Sequence, residues 1–157
     1  MSTKLSVPPH STPDEQTIST AAELELLDKH GNNVKFAEIF QSQKAIVVFV
    51  RHFFCGSCQS YVQALASVPQ EALAASDARI IVIGCGEAQP IEMYAKMTGL
   101  SDDNIYANPS RSVYYALGMD AGNTLTTPPG VERRSYMPKN DFINATSSIF
   151  VSLIRRC

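Results

Sequence analysis

Two apolar runs and a series of helical stripes divide this chain. Ala45 to Val50 reads Ala-Ile-Val-Val-Phe-Val, an unbroken β-branched run that predicts a strand buried on both faces, as in a parallel sheet. Ile80 to Ile83 predicts a second such strand, closed by Gly84. Between them the spacing turns helical: Cys58, Tyr61, Val62 and Leu65 share one face. Pro69 ends or kinks that helix, because it has no amide hydrogen to donate and disfavours helical geometry at Val68. Pro90 suits a first helical position, Ile91, Tyr94 and Ala95 form the next stripe, and Gly99 is its stop. Ile105 to Ala107 predicts a brief strand, and Asn108-Pro109 a short helix carrying Val113, Ala116 and Leu117 as far as Gly118. Strand, helix, strand, helix is the signature of a parallel α/β sheet with right-handed crossovers.

The flanks are less regular. Residues 1–20 carry Pro8, Pro9 and Pro13 among small polar side chains, with too few apolar groups to offset the entropy of ordering, so a mobile tail is expected. Glu23 to Leu27 is short and mostly apolar, His30 to Asn33 is a turn signal, and Val34 to Phe40 predicts a short helix with Phe36, Ile39 and Phe40 on one face. Ala121 to Pro138 reads as a long loop. From Asp141 the residues Phe142, Ala145, Ile149, Phe150 and Leu153 fit a helical face, with a strand over Ile149 to Ile154 as the competing reading. The expected organisation is a tail over 1–20 and one domain over 21–157.

Composition narrows the class. A chain of 157 residues with 45% apolar content can bury a core without disulfide staples. A net charge of -2 argues against a general attraction to nucleic acid or to an anionic membrane surface. No apolar run approaches the roughly 18–20 residues that would span a bilayer, and Met1 to Thr20 lacks the apolar stretch of a signal peptide. The four cysteines, Cys55, Cys58, Cys85 and Cys157, are unevenly placed, unlike a secreted disulfide framework. The expected setting is the cytoplasm with thiols reduced at rest, where a close cysteine pair means chemistry or metal.

That pair lies in Arg51-His52-Phe53-Phe54-Cys55-Gly56-Ser57-Cys58, where a buried strand ends and a helix opens. A thiol at a helix N-terminus meets unpaired amides and the positive end of the dipole, which favour thiolate. Cys55, expected at the exposed tip, is the candidate nucleophile. Cys58, one turn further in, is placed to attack a mixed disulfide or sulfenic acid formed on Cys55. Arg51 and His52 are candidate thiolate stabilisers, and strand alternation turns only one of them toward the helix-bearing face. Cys85, at the C-terminal end of the second strand, is either a third thiol at the same sheet edge or a small residue in a tight turn. Zinc held by Cys55, Cys58, Cys85 and His52 is the metal alternative, although no second closely spaced ligand pair accompanies them. Tyr94, Tyr114 and Tyr115 read as packing, and Cys157 as incidental.

The stretch from Lys44 to Cys58 resembles the peroxiredoxin-like AhpC/TSA antioxidant family, and within it the stand-alone thioredoxin-fold proteins with a C-x-x-C. Ile80 to Gly86, Tyr94 to Gly99, and Ile105 to Pro109 with the helix ending Ala116-Leu117-Gly118-Met119 extend the similarity, which runs roughly from Glu23 to Phe150. The resemblance implies a thioredoxin-like sheet flanked by helices and a thiol-based reduction of peroxides or disulfides. It implies no bound organic cofactor, and a cellular dithiol of thioredoxin or glutathione type as reductant. Peroxiredoxins place a proline and then a threonine ahead of the peroxidatic cysteine; Val48 and His52 stand there in this chain. Thioredoxin's Trp-Cys-Gly-Pro-Cys is approximated as Phe54-Cys55-Gly56-Ser57-Cys58. The family's C-terminal hairpin, with its Gly-Gly strand, has no counterpart here, so the chain reads as shortened at that end. Ala45 to Val50 would then be an exposed apolar edge, open to a second copy or a partner chain. A non-catalytic thioredoxin-fold interaction module is accordingly the rival to an enzyme.

Overall fold

The computed structural model describes residues 12–119. Five strands form one sheet: β1 (Glu25–Leu27), β2 (Asn33–Lys35), β3 (Lys44–Val50), β4 (Ala78–Gly84) and β5 (Ile105–Ala107). Their spatial order is β2-β1-β5-β4-β3. The pairs β3/β4 and β4/β5 are parallel, as the two apolar runs and the helices between them require. A β1/β2 hairpin adds two antiparallel strands through β5, so the sheet is mixed rather than wholly parallel.

Among the described residues five α-helices flank it: α1 (Glu15–Ala22), α2 (Gly56–Ala66), α3 (Gln70–Ala75), α4 (Ile91–Thr98) and α5 (Ser112–Ala116). Alternation along β4 divides the core into two layers. Val82 packs with Val62, Ile91, Tyr94 and Ile105 on the side of α2 and α4. Ile81 and Ile83 pack with Ala21, Leu26, Phe36, Ile39 and Val113 on the side of α1 and α5. Each of these fully buried aliphatic side chains is worth about 1.5–3 kcal/mol relative to exposure, which makes β4 the spine of the domain.

Several elements differ from expectation. The tail expected over residues 1–20 gives way to α1 from Glu15 onward. Asp14 caps that helix by accepting the Thr17 amide at 2.8 Å, and Ala21 is its buried anchor. Val34 to Phe40 divides into β2 and a 3-10 turn over Phe36–Phe40. Pro69 does end α2, and a short α3 with no buried residue follows it. β3 is not buried on both faces: among the described residues it pairs only with β4, and Ile46 is 50% exposed. Gly99 closes α4 with φ +79°, a left-handed geometry that glycine adopts without penalty. The expected loop over Ala121 to Pro138, the C-terminal helix or strand, and Cys157 lie outside the described residues, as does the question of a C-terminal hairpin.

Candidate functional site

The parallel register pairs Val50 with Gly84, so β3 and β4 end together. Just beyond β3 the chain turns, with the Cys55 amide donating to the His52 carbonyl at 3.1 Å, and α2 begins. Three contacts fix this turn. The Gln59 side chain donates to the Phe53 carbonyl at 2.9 Å. The Phe53 ring lies under the turn, 1% exposed, with its centroid 5.0 Å from that of Tyr94. Gly84 makes room for that ring, since a Cβ on Gly84 would fall 2.6 Å from Phe53 Cε1.

Cys55 is the N-cap of α2, and its Sγ accepts the Cys58 amide at 3.4 Å. Arg51 Nη2 donates to the same sulfur at 3.0 Å. The Cys58 thiol, the Cys58 amide and the Arg51 guanidinium together bring the Cys55 thiol down to about 5, against the opposing effect of burial. Cys58 moves the other way. Its hydrogen bond to the Cys55 sulfur requires the proton, and burial and the Cys55 charge hold it as a thiol. One anionic and one protonated sulfur, three residues apart at a helix start, are what thiol–disulfide exchange needs: a nucleophile that is ionised and a second thiol poised behind it.

The strand-end alternative is resolved by geometry: Arg51, not His52, holds the sulfur. His52 is instead pushed below the usual imidazole range, first by desolvation and then by the positive charges of Arg51 and Arg111. Its neutral ring adds no counter-charge. Cys55 does not stand at an exposed tip; it is 3% exposed, because the N-cap position tucks its side chain against the first turn of α2.

Cys85 follows β4 at the same sheet edge but packs in the α1/α5 layer, whereas Cys58 packs against the α2/α4 layer. The two side chains therefore belong to different core layers, and the structure does not gather Cys85 into the pair. Cys55, Cys58 and Cys85 are free thiols. Among the described residues no group of three or more His, Cys, Asp or Glu side chains is arranged to hold a metal ion, so the four ligands weighed for zinc do not converge.

Two tyrosines were legible in the sequence only as packing. The Tyr114 hydroxyl reaches the Val50 and Ile83 carbonyls, both at 2.7 Å, and ties the ends of β3 and β4 together under the site. Tyr94 is fully buried on α4, and burial pushes its phenol up. Tyr115, in contrast, is 55% exposed and packs little. Helical spacing distinguishes the two buried rings from the exposed one only weakly, and nothing in it shows where a hydroxyl ends.

Comparison with known proteins places this frame. The model of the AhpC/TSA antioxidant enzyme family matches residues 64–147, just over half of the chain. That match begins beyond Cys58, so the reading of the cysteine pair rests on the geometry above. Peroxiredoxin-like 2C of Homo sapiens is 42% identical over 123 residues, covering 77% of this chain and 54% of that protein. The Mus musculus protein of the same name is 41% identical over 109 residues, with 69% and 48% covered. The Arabidopsis thaliana protein named thioredoxin-like protein AAED1, chloroplastic, is 28% identical over 117 residues, with 73% and 46% covered. The chain thus spans about half the length of the curated relatives it matches. Among solved structures, a Bacteroides thetaiotaomicron protein provisionally described as a protein disulfide isomerase superposes with a TM-score of 0.50 at 17% identity, covering 65% of this chain and 64% of its own. At that identity the likeness is one of fold, a thioredoxin-like sheet flanked by helices.

Proposed function

The chain belongs to the AhpC/TSA antioxidant-enzyme family, and on that premise we propose that it is a thiol oxidoreductase with Cys55 as nucleophile and Cys58 as resolving thiol. The observation that carries this reading is the Arg51–Cys55 contact of 3.0 Å, at a helix N-cap that also offers the Cys58 amide. A structural pair of buried thiols gains nothing from a guanidinium; a nucleophile does.

In the disulfide version, the Cys55 thiolate attacks one sulfur of the substrate disulfide. A Cys55–sulfur bond forms, the substrate S–S bond breaks, and its electron pair leaves on the departing thiolate. Cys58 then gives up its proton and attacks Cys55 Sγ, forming the Cys55–Cys58 disulfide. The bond between Cys55 and the substrate sulfur breaks, and that sulfur leaves with the bond's electron pair and takes up a proton. In the peroxide version, Cys55 attacks one peroxide oxygen, an alcohol or water leaves with a proton, and Cys58 displaces water from the resulting sulfenic acid. In both, a cellular dithiol of thioredoxin or glutathione type returns the pair to the reduced state. The chemistry calls on no bound organic cofactor, nucleic acid or membrane, and the cytoplasm is the compartment proposed for it. Among the described residues no helix is long and apolar enough to cross a membrane.

Of the two substrates, disulfides are favoured by Val48 and His52 standing where peroxiredoxins place the proline and threonine that position a peroxide. The test is turnover of a small disulfide and of hydrogen peroxide with an excess of dithiol. Wild type consumes the disulfide faster than the peroxide, Cys55→Ser consumes neither, and Cys58→Ser accumulates a mixed disulfide on Cys55. Equal turnover by Cys55→Ser would overturn the reading. A second reading has its own observation: β3 is an edge among the described residues, with Ile46 50% exposed, which suits pairing with a second copy or a partner chain. A pure interaction module would keep its partner in the Cys55→Ser/Cys58→Ser double variant, whereas the enzyme loses its activity.

A further inference from the structure

The feature that the cycle above does not use is the Tyr94 hydroxyl. Tyr94 is 0% exposed, and among the described residues its hydroxyl has no hydrogen-bond partner. Leaving such a group unpaired in a protein interior costs about 1–3 kcal/mol. Phenylalanine would fill the same space, pack its ring against Phe53 equally well and avoid that cost. An orphaned buried donor therefore points to an acceptor that appears in another state of the molecule.

The surroundings identify the acceptor. Tyr94 lies in the core layer against which Cys58 packs. Of the partly buried side chains packed against that layer, Leu27, Val48, Cys58 and Ala66, Cys58 alone carries a polar atom. In the resting pair Cys58 is protonated and its hydrogen is given to Cys55, so it offers Tyr94 no anion. The Cys55 charge is already held by Arg51 and by the Cys58 amide. The Cys58 sulfur turns negative only in passage, when it attacks Cys55 or when the Cys55–Cys58 bond is broken by the reductant.

We propose that Tyr94 is the hydrogen-bond donor to the Cys58 sulfur at those moments, an assignment that rests on the Cys55–Cys58 cycle proposed above. When one thiolate of the reducing dithiol attacks Cys55 Sγ, a new Cys55–sulfur bond forms and the Cys55–Cys58 bond breaks. The electron pair goes to Cys58 Sγ, where the Tyr94 O–H meets it. A proton from solvent or from the reductant's second thiol then neutralises the sulfur. Tyr94 keeps its own proton throughout, so it is neither oxidised nor consumed. In the closing direction the same contact stabilises the Cys58 thiolate as it attacks.

Because the contact exists in the transition state and not in either resting state, Tyr94→Phe has a distinctive signature. Opening of the disulfide by a small dithiol and its closure both slow by the same factor, roughly tenfold for the loss of a hydrogen bond to a charged group. The equilibrium with glutathione at neutral pH does not move, and the pH at which Cys58 ionises rises. The reduced variant melts at or above the wild-type temperature, since an unpaired buried hydroxyl has been removed. A merely structural tyrosine would instead shift the melting temperature downward and the glutathione equilibrium with it. Incorporating 3-fluorotyrosine at Tyr94, a more acidic phenol of nearly the same shape, should accelerate both directions and provides a second arm should Tyr94→Phe fold poorly. If wild type forms the Cys55–Cys58 disulfide but Tyr94→Phe opens and closes it at wild-type rates, the Tyr94 assignment alone falls. If wild type forms no such disulfide, the assignment and the cycle fall together.

Discussion

The Arg51 guanidinium lies 3.0 Å from Cys55 Sγ, so the residue that follows β3 neutralises the sulfur that caps α2. Strand end and helix start thus meet on one atom, and the register that pairs Val50 with Gly84 fixes where this happens. The charge state of Cys55 is a property of how the sheet ends as much as of the helix that begins.

Arg51→Ala should raise the Cys55 ionisation by about one to two pH units, the usual effect of removing an adjacent cation from an acid. Thiolate absorbance in the ultraviolet, followed against pH, reads this directly. At pH near 6 the variant should hold several-fold less thiolate than wild type, and above about pH 9 the two should be alike. Arg51→Lys should fall between them, because an ammonium restores charge without the fork of donors. His52→Ala should leave the Cys55 titration close to wild type, since a neutral imidazole contributes no counter-charge.

The same titration makes a prediction about stability. Cys55 ionises near 5 in the folded, reduced protein and in the ordinary thiol range when unfolded. A depressed pKa contributes stability that is complete above the unfolded value and is lost as pH falls through the folded one. Cys58 is shifted upward and is protonated in both states across this window, so its contribution stays flat. Reduced wild type should therefore lose stability between about pH 8 and pH 5 relative to Cys55→Ser, measured by urea denaturation at each pH. Parallel curves for the two proteins would contradict the depressed Cys55 ionisation.

Gly84→Ala tests how tightly the turn is held. Its new Cβ would overlap Phe53 Cε1 at 2.6 Å, and the ring is enclosed between Gly84 and Tyr94. Overpacking of this kind costs about 1–3 kcal/mol. Phe53 stands two residues before Cys55, and its carbonyl is clamped by Gln59, so the displacement should reach the sulfur. The expected result is a lower melting temperature together with a Cys55 ionisation shifted upward.

Asn108 tests the opposite layer. It is 0% exposed; its Oδ1 accepts the Val113 amide at 3.1 Å, and its Nδ2 donates to the Glu25 carbonyl at 3.2 Å. Its own amide donates to the Gly84 carbonyl at 2.8 Å. Asn108→Ala strands the buried Val113 amide and removes the donor to the Glu25 carbonyl, and a loss of about 1–3 kcal/mol in a urea melt is expected.

What the sequence revealed follows from which forces are local. β3, β4, α4 and α5 were legible because contiguous apolar runs, Pro90 and Gly99 act through neighbouring residues. α1 was not, because its stability comes from one cap, Asp14, and one buried side chain, Ala21, inside an otherwise polar stretch. The exposure of Ile46 among the described residues could not be read from the run itself, because an apolar run looks the same in an edge strand as in a central one; the exposed edge was expected only from the family resemblance. At the site, Cys55 and Cys58 stood out by spacing, while the choice between Arg51 and His52 depended on a turn that breaks strand alternation. Tyr94 was hidden most completely. Its ring obeys the helical stripe of α4, and only the three-dimensional packing puts it in the layer against which Cys58 packs.

The central claim, that Cys55 and Cys58 form a working dithiol, is tested most directly by intact-mass measurement across a glutathione redox series with timed alkylation of the quenched samples. The account predicts a two-proton mass loss in a single step with a defined midpoint, mapped to the Cys55–Cys58 bond, and fastest alkylation at Cys55 near neutral pH while Cys85 lags. Uniform reaction of all cysteines with no midpoint, or a bond that maps to Cys85, would contradict it.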